Sequence, residues 1–184
     1  MTTFLIIAGV LLVGFYSVYV SLIKKKNNLK EAASGIDVQL KKRYDLIPNM
    51  LKAAAKFMEH EKELFTKLTA LREQAMNASN YGDKFKADNE LSGALHLFSV
   101  RAENYPQLKS DTTMVNAQQA IAETEEHIAA ARRFYNSAVK EYKNALEIFP
   151  SSMVAAILGL KDEYPFFEAE EAAKEAVDVN DYFK

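Results

Sequence analysis

Between Asp111 and Phe149 the chain reads DTTMVNAQQAIAETEEHIAAARRFYNSAVKEYKNALEIF, with neither glycine nor proline. Met114, Ile121, Ile128, Tyr135, Tyr142 and Phe149 recur at every seventh position, and Ala117, Thr124, Ala131, Ala138 and Ala145 follow three residues after the first five. A seven-residue period is slightly shorter than two ideal helical turns, so a helix that keeps it supercoils gently left-handed. Large side chains alternating with small ones permit close approach, which is bundle packing at crossing angles of about 20°. The segment would be about 55 Å long, giving an elongated bundle.

Three further helices lead up to it. The first covers about Leu29 to Leu46, continuous with an apolar helix before it. Pro48 removes an amide donor and biases Ile47 away from helical angles, marking a turn or a kink, and a turn is the favoured reading. The second, Asn49 to about Met76, sets Met50, Phe57, Leu64 and Leu71 seven apart. Asn77 to Asp83 is loop chemistry, and a third helix, about Lys86 to Asn104, aligns Leu91, Leu95, Phe98 and Ala102 before Tyr105-Pro106 ends it. Beyond Pro150, a short helix can run from Ser151 to about Leu158 with Gly159 at its end. Tyr164-Pro165-Phe166-Phe167 is an aromatic turn expected to pack back on the bundle, followed by a short acidic helix over Glu168 to Val177 and a terminus pinned by Tyr182-Phe183. Eight acidic residues between Asp162 and Asp181 face only Lys174, which reads as a solvated surface.

At the other end, Phe4 to Ile23 carries no charge and Lys24-Lys25-Lys26 follows at once. Such a run spans a hydrocarbon core of about 30 Å as one helix, with every backbone group paired internally. Lysines on the downstream side alone predict a short N-terminus outside and the body in the cytoplasm. A cleaved signal peptide would carry a basic leader and a small-residue cleavage site, and neither is present. Tyr16 and Tyr19 suit the headgroup level. Gly14, Ser17 and Ser21 form a stripe that could let two anchors approach, or are small residues scattered on a lipid face.

The composition, 49% hydrophobic and 26% charged with 6 Gly and 4 Pro, favours long helices over many short strands, in a body sized for one domain. Residues 24–72 hold 12 Lys or Arg against 6 Asp or Glu, whereas the remainder holds 11 against 19. A basic half beside the membrane, with Lys24, Lys25, Lys26, Lys41, Lys42 and Arg43 as candidate surface residues, can meet anionic headgroups at about 1 kcal/mol per well-placed cation. The acidic remainder and pI near 6.0 argue against nucleic acid as a partner.

No constellation reaches the standard of a catalytic or metal site. His60-Glu61 opens like a zinc-protease helix, but Leu64 stands where the second imidazole belongs. The residues three before His60, His96 and His127 are Phe57, Gly93 and Thr124, so no Glu-x-x-His pair for a di-iron bundle exists. The absence of cysteine removes thiol catalysis and thiolate ligation, and no phosphate-binding glycine loop occurs. Catalytic, cofactor-binding and metal residues are therefore all assigned as none. Glu61, Glu125 and Arg132 lie close to apolar seams; Glu61 with Arg132 is the candidate polar core pair, with snorkelling to the bundle edge the equal alternative.

The stretch Ile36-Asp37-Val38-Gln39-Leu40-Lys41-Lys42-Arg43-Tyr44-Asp45-Leu46-Ile47-Pro48-Asn49 resembles the LemA family of bacterial membrane proteins. The resemblance continues through His60-Glu61, Leu91-Ser92, Tyr105-Pro106-Gln107-Leu108-Lys109, Ala131 to Val139, Phe149-Pro150-Ser151 and Phe167-Glu168-Ala169. It implies an antiparallel four-helix bundle on a single N-terminal anchor in the cytoplasmic membrane. It also implies links to membrane-protein quality control beside a membrane metalloprotease and to magnetosome membranes, with no settled activity to carry over. The expected all-α organisation is an anchor with basic flank over 1–26, the bundle over 27–150, and a short helix, aromatic turn and acidic segment over 151–184. Within it, Val38 and Ile47 can face the core, so that Asp37 to Asn49 serves as a hinge setting the bundle's angle to the membrane, or as a surface for lipid or partner. The functional expectation is a non-enzymatic, self-associating scaffold whose partners are membrane lipid, further copies of itself and a membrane protein. An accessory subunit of a membrane protease or envelope-stress system is second, and an enzyme with an unrecognised site third.

Overall fold

The computed structural model describes residues 1–168, and within them the chain is all-helical. The expected acidic helix and the Tyr182-Phe183 contact fall outside the described residues. Six helices are described: α1 (Thr2–Ala54), α2 (Lys62–Asn77), α3 (Tyr81–Ala102), α4 (Pro106–Lys109), α5 (Thr112–Glu147) and α6 (Ser151–Ile157). They pack as two compact units. Residues 1–46 with 118–166 form one, and residues 47–117 with Phe167 and Glu168 form the other.

In the first unit α1 and α5 lie antiparallel. Leu22 packs with Ala145, Lys25 pairs with Glu141 and Arg43 pairs with Glu125, so that one index falls as the other rises. Leu29, Ile36 and Leu40 on α1, and Ile128, Tyr135 and Tyr142 on α5, are all buried. The heptad therefore delivers its core column as expected up to Tyr142, with Ile121 half-buried. Phe149, the last member of the column, lies past the end of α5 and is 74% exposed.

In the second unit α2 and α3 are antiparallel partners: Phe65 meets Phe98 with ring centroids 6.2 Å apart, and Glu61 bonds Arg101. Asn80 caps α3 by accepting from the Asp83 amide at 2.9 Å, while its own amide nitrogen donates to the Asp83 carboxylate at 2.8 Å. The helix consequently starts at Tyr81, five residues before the expected Lys86. The aromatic turn packs as expected through Phe167, which is buried and stacks on Phe85 at 4.0 Å between centroids.

Two further boundaries differ from the sequence reading. Pro48 stands inside α1, and the helix continues to Ala54. The proline is exposed while Ile47, Met50 and Ala54 are buried, so the ring faces water and the core contacts outweigh a proline cost of about 3 kcal/mol. The break comes later, over Ala55 to Glu61, where the amides of Phe57 and Met58 both reach the Ala54 carbonyl and the Met58 side chain is fully buried.

Candidate functional site

The apolar start of α1 is the most unusual surface of the molecule. Phe4 through Val13 project large apolar side chains into the surroundings, and almost none of the 18-residue apolar window is buried against protein. The same helix then acquires a buried seam at Leu22, Leu29, Ile36, Leu40, Arg43, Ile47 and Met50, with steps of three, four or seven. One α-helix thus changes from an all-round apolar rod to an amphipathic one without interruption.

Around that transition lies a charged girdle within the first unit. Lys24 is exposed, Lys25 donates to Glu141 at 3.3 Å, and Lys26 is half-buried. Nearby in chain order, Lys143 pairs with Asp162 at 2.7 Å and its ammonium lies 5.1 Å from the Phe166 ring centre. Lys41 and Lys42 are exposed about four turns further along α1, Lys41 pairing with Asp45 at 3.1 Å. Such exposed pairs contribute little stability each. Their cations remain available to an anionic surface.

Arg43 does not belong with them, and its assignment as a membrane-surface residue is corrected. Its side chain is 0% exposed and its Nη1 donates to Glu125 at 2.5 Å. The residue stands three after Leu40 and four before Ile47, which is a core position of the seam. The charge-cluster reading weighed its type against Lys41 and Lys42 rather than its register. Val38 is likewise corrected, being half exposed, whereas Ile47 is buried as expected. α1 is unbroken across Asp37–Asn49.

The candidate pair Glu61 with Arg132 is replaced by a different constellation. In the second unit Glu61 accepts from Arg101 on one oxygen and from the Tyr105 hydroxyl, at 3.5 Å, on the other. Arg132 belongs to the first unit. A further buried polar residue, Asp88 on α3, went unremarked in the sequence; its spacing of three from both Phe85 and Leu91 places it on the apolar stripe and was the available signal.

Along α5 two phenols tie down the chain that follows α6. Tyr135 donates to the Pro165 carbonyl at 2.8 Å and Tyr142 to the Lys161 carbonyl at 3.4 Å. Burial, reinforced by Glu163, Tyr164 and Asp162, raises the Tyr142 phenol above its ordinary value. Among the described residues no group of three or more His, Asp or Glu side chains gathers to hold a metal ion. The geometry offers apolar surface, cationic rim and interhelical ion pairs, all of them means of binding and positioning.

Comparison with known proteins agrees with the resemblance in Ile36 to Asn49. The family model of the LemA family matches residues 32–180, and the chain belongs to this family. Protein LemA of Metamycoplasma hominis is 24% identical over 184 residues, covering 97% of this chain and 84% of that protein.

Proposed function

We propose that this member of the LemA family is a non-enzymatic scaffold, fixed in the bacterial cytoplasmic membrane by the start of α1. Its helical body lies on the cytoplasmic side, and it self-associates to organise membrane or partner proteins. The observation that carries the reading is the exposed apolar stretch Phe4–Val13 on a helix continuous with the bundle seam. Each large apolar side chain left in water forgoes about 1.5–3 kcal/mol, so a run of them calls for lipid. Orientation rests on Lys24, Lys25 and Lys26 following that run, supported by the exposed Lys41 and Lys42.

Protease treatment of intact spheroplasts and of inside-out vesicles tests the topology. The body is expected to survive in the first and to be digested in the second; the reverse pattern overturns the proposed side. Crosslinking in native membranes followed by mild detergent extraction tests the role. A discrete multimer of this chain supports a scaffold, whereas a stoichiometric membrane protease in the complex moves the assignment to an accessory subunit. A stoichiometric bound metal in the purified protein would reopen catalysis.

A further inference from the structure

Thirteen consecutive residues at the end of α5 and through α6, Ile148 to Leu160, carry no charge. They leave α5, turn, and come back along it. The Lys161 carbonyl is held by Tyr142 and the Pro165 carbonyl by Tyr135, so the returning segment runs antiparallel to α5. One side of this excursion is packed: Val154 and Ala155 are buried with Leu22 and Ala145, and Val18, Leu146 and Leu160 close the cluster. The other side is bare. Phe149 is 74% exposed and Ile157 71%, with Ile148 and Met153 also turned outward.

The excursion lies beside the apolar part of α1. An open groove of about 680 Å³ is walled by Leu11, Phe15 and Val18 on α1 and by Phe149, Met153 and Ile157 opposite. Seven residues on from Val18 along α1, Lys25 pairs with Glu141 at 3.3 Å, and two residues on along α5 Lys143 pairs with Asp162 at 2.7 Å. Helical rise from Glu141 to Phe149 is about 12 Å, less than the half-thickness of a hydrocarbon core of about 30 Å. A body that ended at the water interface would have no reason to carry bare apolar residues on that side of its charges.

Backbone in hydrocarbon must be internally satisfied. Here it is. The Ser152 amide reaches the Ile148 carbonyl at 3.0 Å and the Ser151 hydroxyl donates to the same carbonyl at 2.8 Å. At the far end Gly159, with φ of +63°, closes α6 in a Schellman motif: the Leu160 amide bonds the Ala155 carbonyl and the Gly159 amide bonds the Ala156 carbonyl, both at 3.1 Å.

We infer that residues 148–160 form a second membrane-embedded element, re-entrant from the side of the body, and that a phospholipid acyl chain occupies the groove it forms with α1. The groove shares one wall with the lipid-facing rod, and Lys24 and Lys161, both exposed where the two uncharged runs end, can meet an anionic headgroup. This inference rests on the membrane reading of α1 given above.

The test uses the full chain, which has no natural cysteine, in phosphatidylglycerol-containing vesicles. Single variants Val13→Cys, Met153→Cys and Thr69→Cys, all at exposed positions, receive a fluorophore before reconstitution. With nitroxide placed on the lipid acyl chains, quenching at position 153 is expected within about twofold of that at 13, while 69 is unaffected. If 153 behaves like 69 while 13 is quenched, the re-entrant element is wrong and the anchor stands. If 13 also escapes quenching, the anchor reading fails and this inference with it. A phospholipid carrying a photoreactive acyl chain should then label peptides containing Phe149 and Met153. Oxidative dimers through Met153→Cys without lipid adducts would assign the groove to a second copy and overturn the lipid assignment.

Discussion

The sharpest energetic consequence of the structure lies in Arg43 and Glu125. The guanidinium is wholly buried, whereas the Glu125 side chain is 40% exposed, so the two partners do not lose equally when the pair is broken. Removing one member of a fully buried pair costs about 3–5 kcal/mol, chiefly because a desolvated charge is left behind. Water can follow a shortened Glu125 part of the way, and Arg43 has contacts beyond this carboxylate. Glu125→Ala should therefore cost about 2–3 kcal/mol, below the fully buried figure. Arg43→Met removes the buried charge but keeps an unbranched apolar stem in the seam, and Glu125 can return to solvent. That variant should cost about 1 kcal/mol, and the double variant little more, leaving a coupling of about 2 kcal/mol. Urea unfolding of the full chain in non-ionic detergent at pH 7, followed by far-UV circular dichroism, measures all four corners of the cycle. Additivity within about 0.5 kcal/mol, or an Arg43→Met variant worse than Glu125→Ala, would refute a buried charge that depends on its carboxylate.

Phe167→Ala deletes a buried ring stacked on Phe85 and should destabilise by about 3 kcal/mol, read as a lower urea midpoint; Phe167→Leu should recover most of it. Asn80→Ala removes the cap on the Asp83 amide and should cost about 1 kcal/mol, whereas Asn80→Asp should be close to neutral in the same assay. Tyr142 gives a pH dependence whose sign follows from its raised pKa. Below about pH 10 the phenol is neutral folded or unfolded and its contribution is complete; as pH climbs further the unfolded chain ionises first and that contribution is lost. The stability difference between the native chain and Tyr142→Phe should accordingly shrink, or change sign, above pH 10. A constant difference through that range would show that the phenol titrates alike in both states.

Much of this fold is legible because α5 is repetitive. Each large residue from Met114 to Tyr142 sits at a seven-residue interval, and a mistake at one position cannot move the others. Where a single residue carries the information, local reading misleads. Pro48 is a strong breaker by itself, yet its ring is exposed and the residues around it are core, so tertiary packing decides. The turn at Ala55 to Glu61 contains no glycine or proline, and the apolar pattern from Met50 to Leu71 passes straight through it. Within it Met58 is fully buried, and burial depends on the tertiary surroundings rather than on local sequence. Glu61 has the same character. That it needs a cation could be argued from its place near a seam, but choosing Arg101 over Arg132 requires the register of α2 against α3, and the two guanidiniums are chemically identical. Arg43 was readable, since the interval from Leu40 and to Ile47 is that of the seam; its neighbours Lys41 and Lys42 disguised it.

The position of Phe149 connects these points to function. It closes the heptad column, and a column residue in a water-soluble bundle would be covered by the next helix. Here α5 stops at Glu147, Phe149 is bare, and the residues after it are uncharged until Lys161. A solvated bundle end would instead carry polar residues, because exposed contiguous apolar surface invites association. The outward residues occur just where α1 itself loses its buried seam, above Leu22. Two segments far apart in sequence therefore change from amphipathic to apolar beside the same charged girdle of Lys25, Glu141, Lys143 and Asp162. On the proposed reading a bilayer boundary is the common cause of both, and a scaffold held by two elements would resist rotation about its anchor in a way that one helix alone does not. Ile157→Glu, which places a charge on the bare side without touching Val154 or Ala155, should leave α1 inserted while raising the solvent exposure of Met153→Cys in vesicles; unchanged exposure at that site would mean the girdle does not mark the membrane surface.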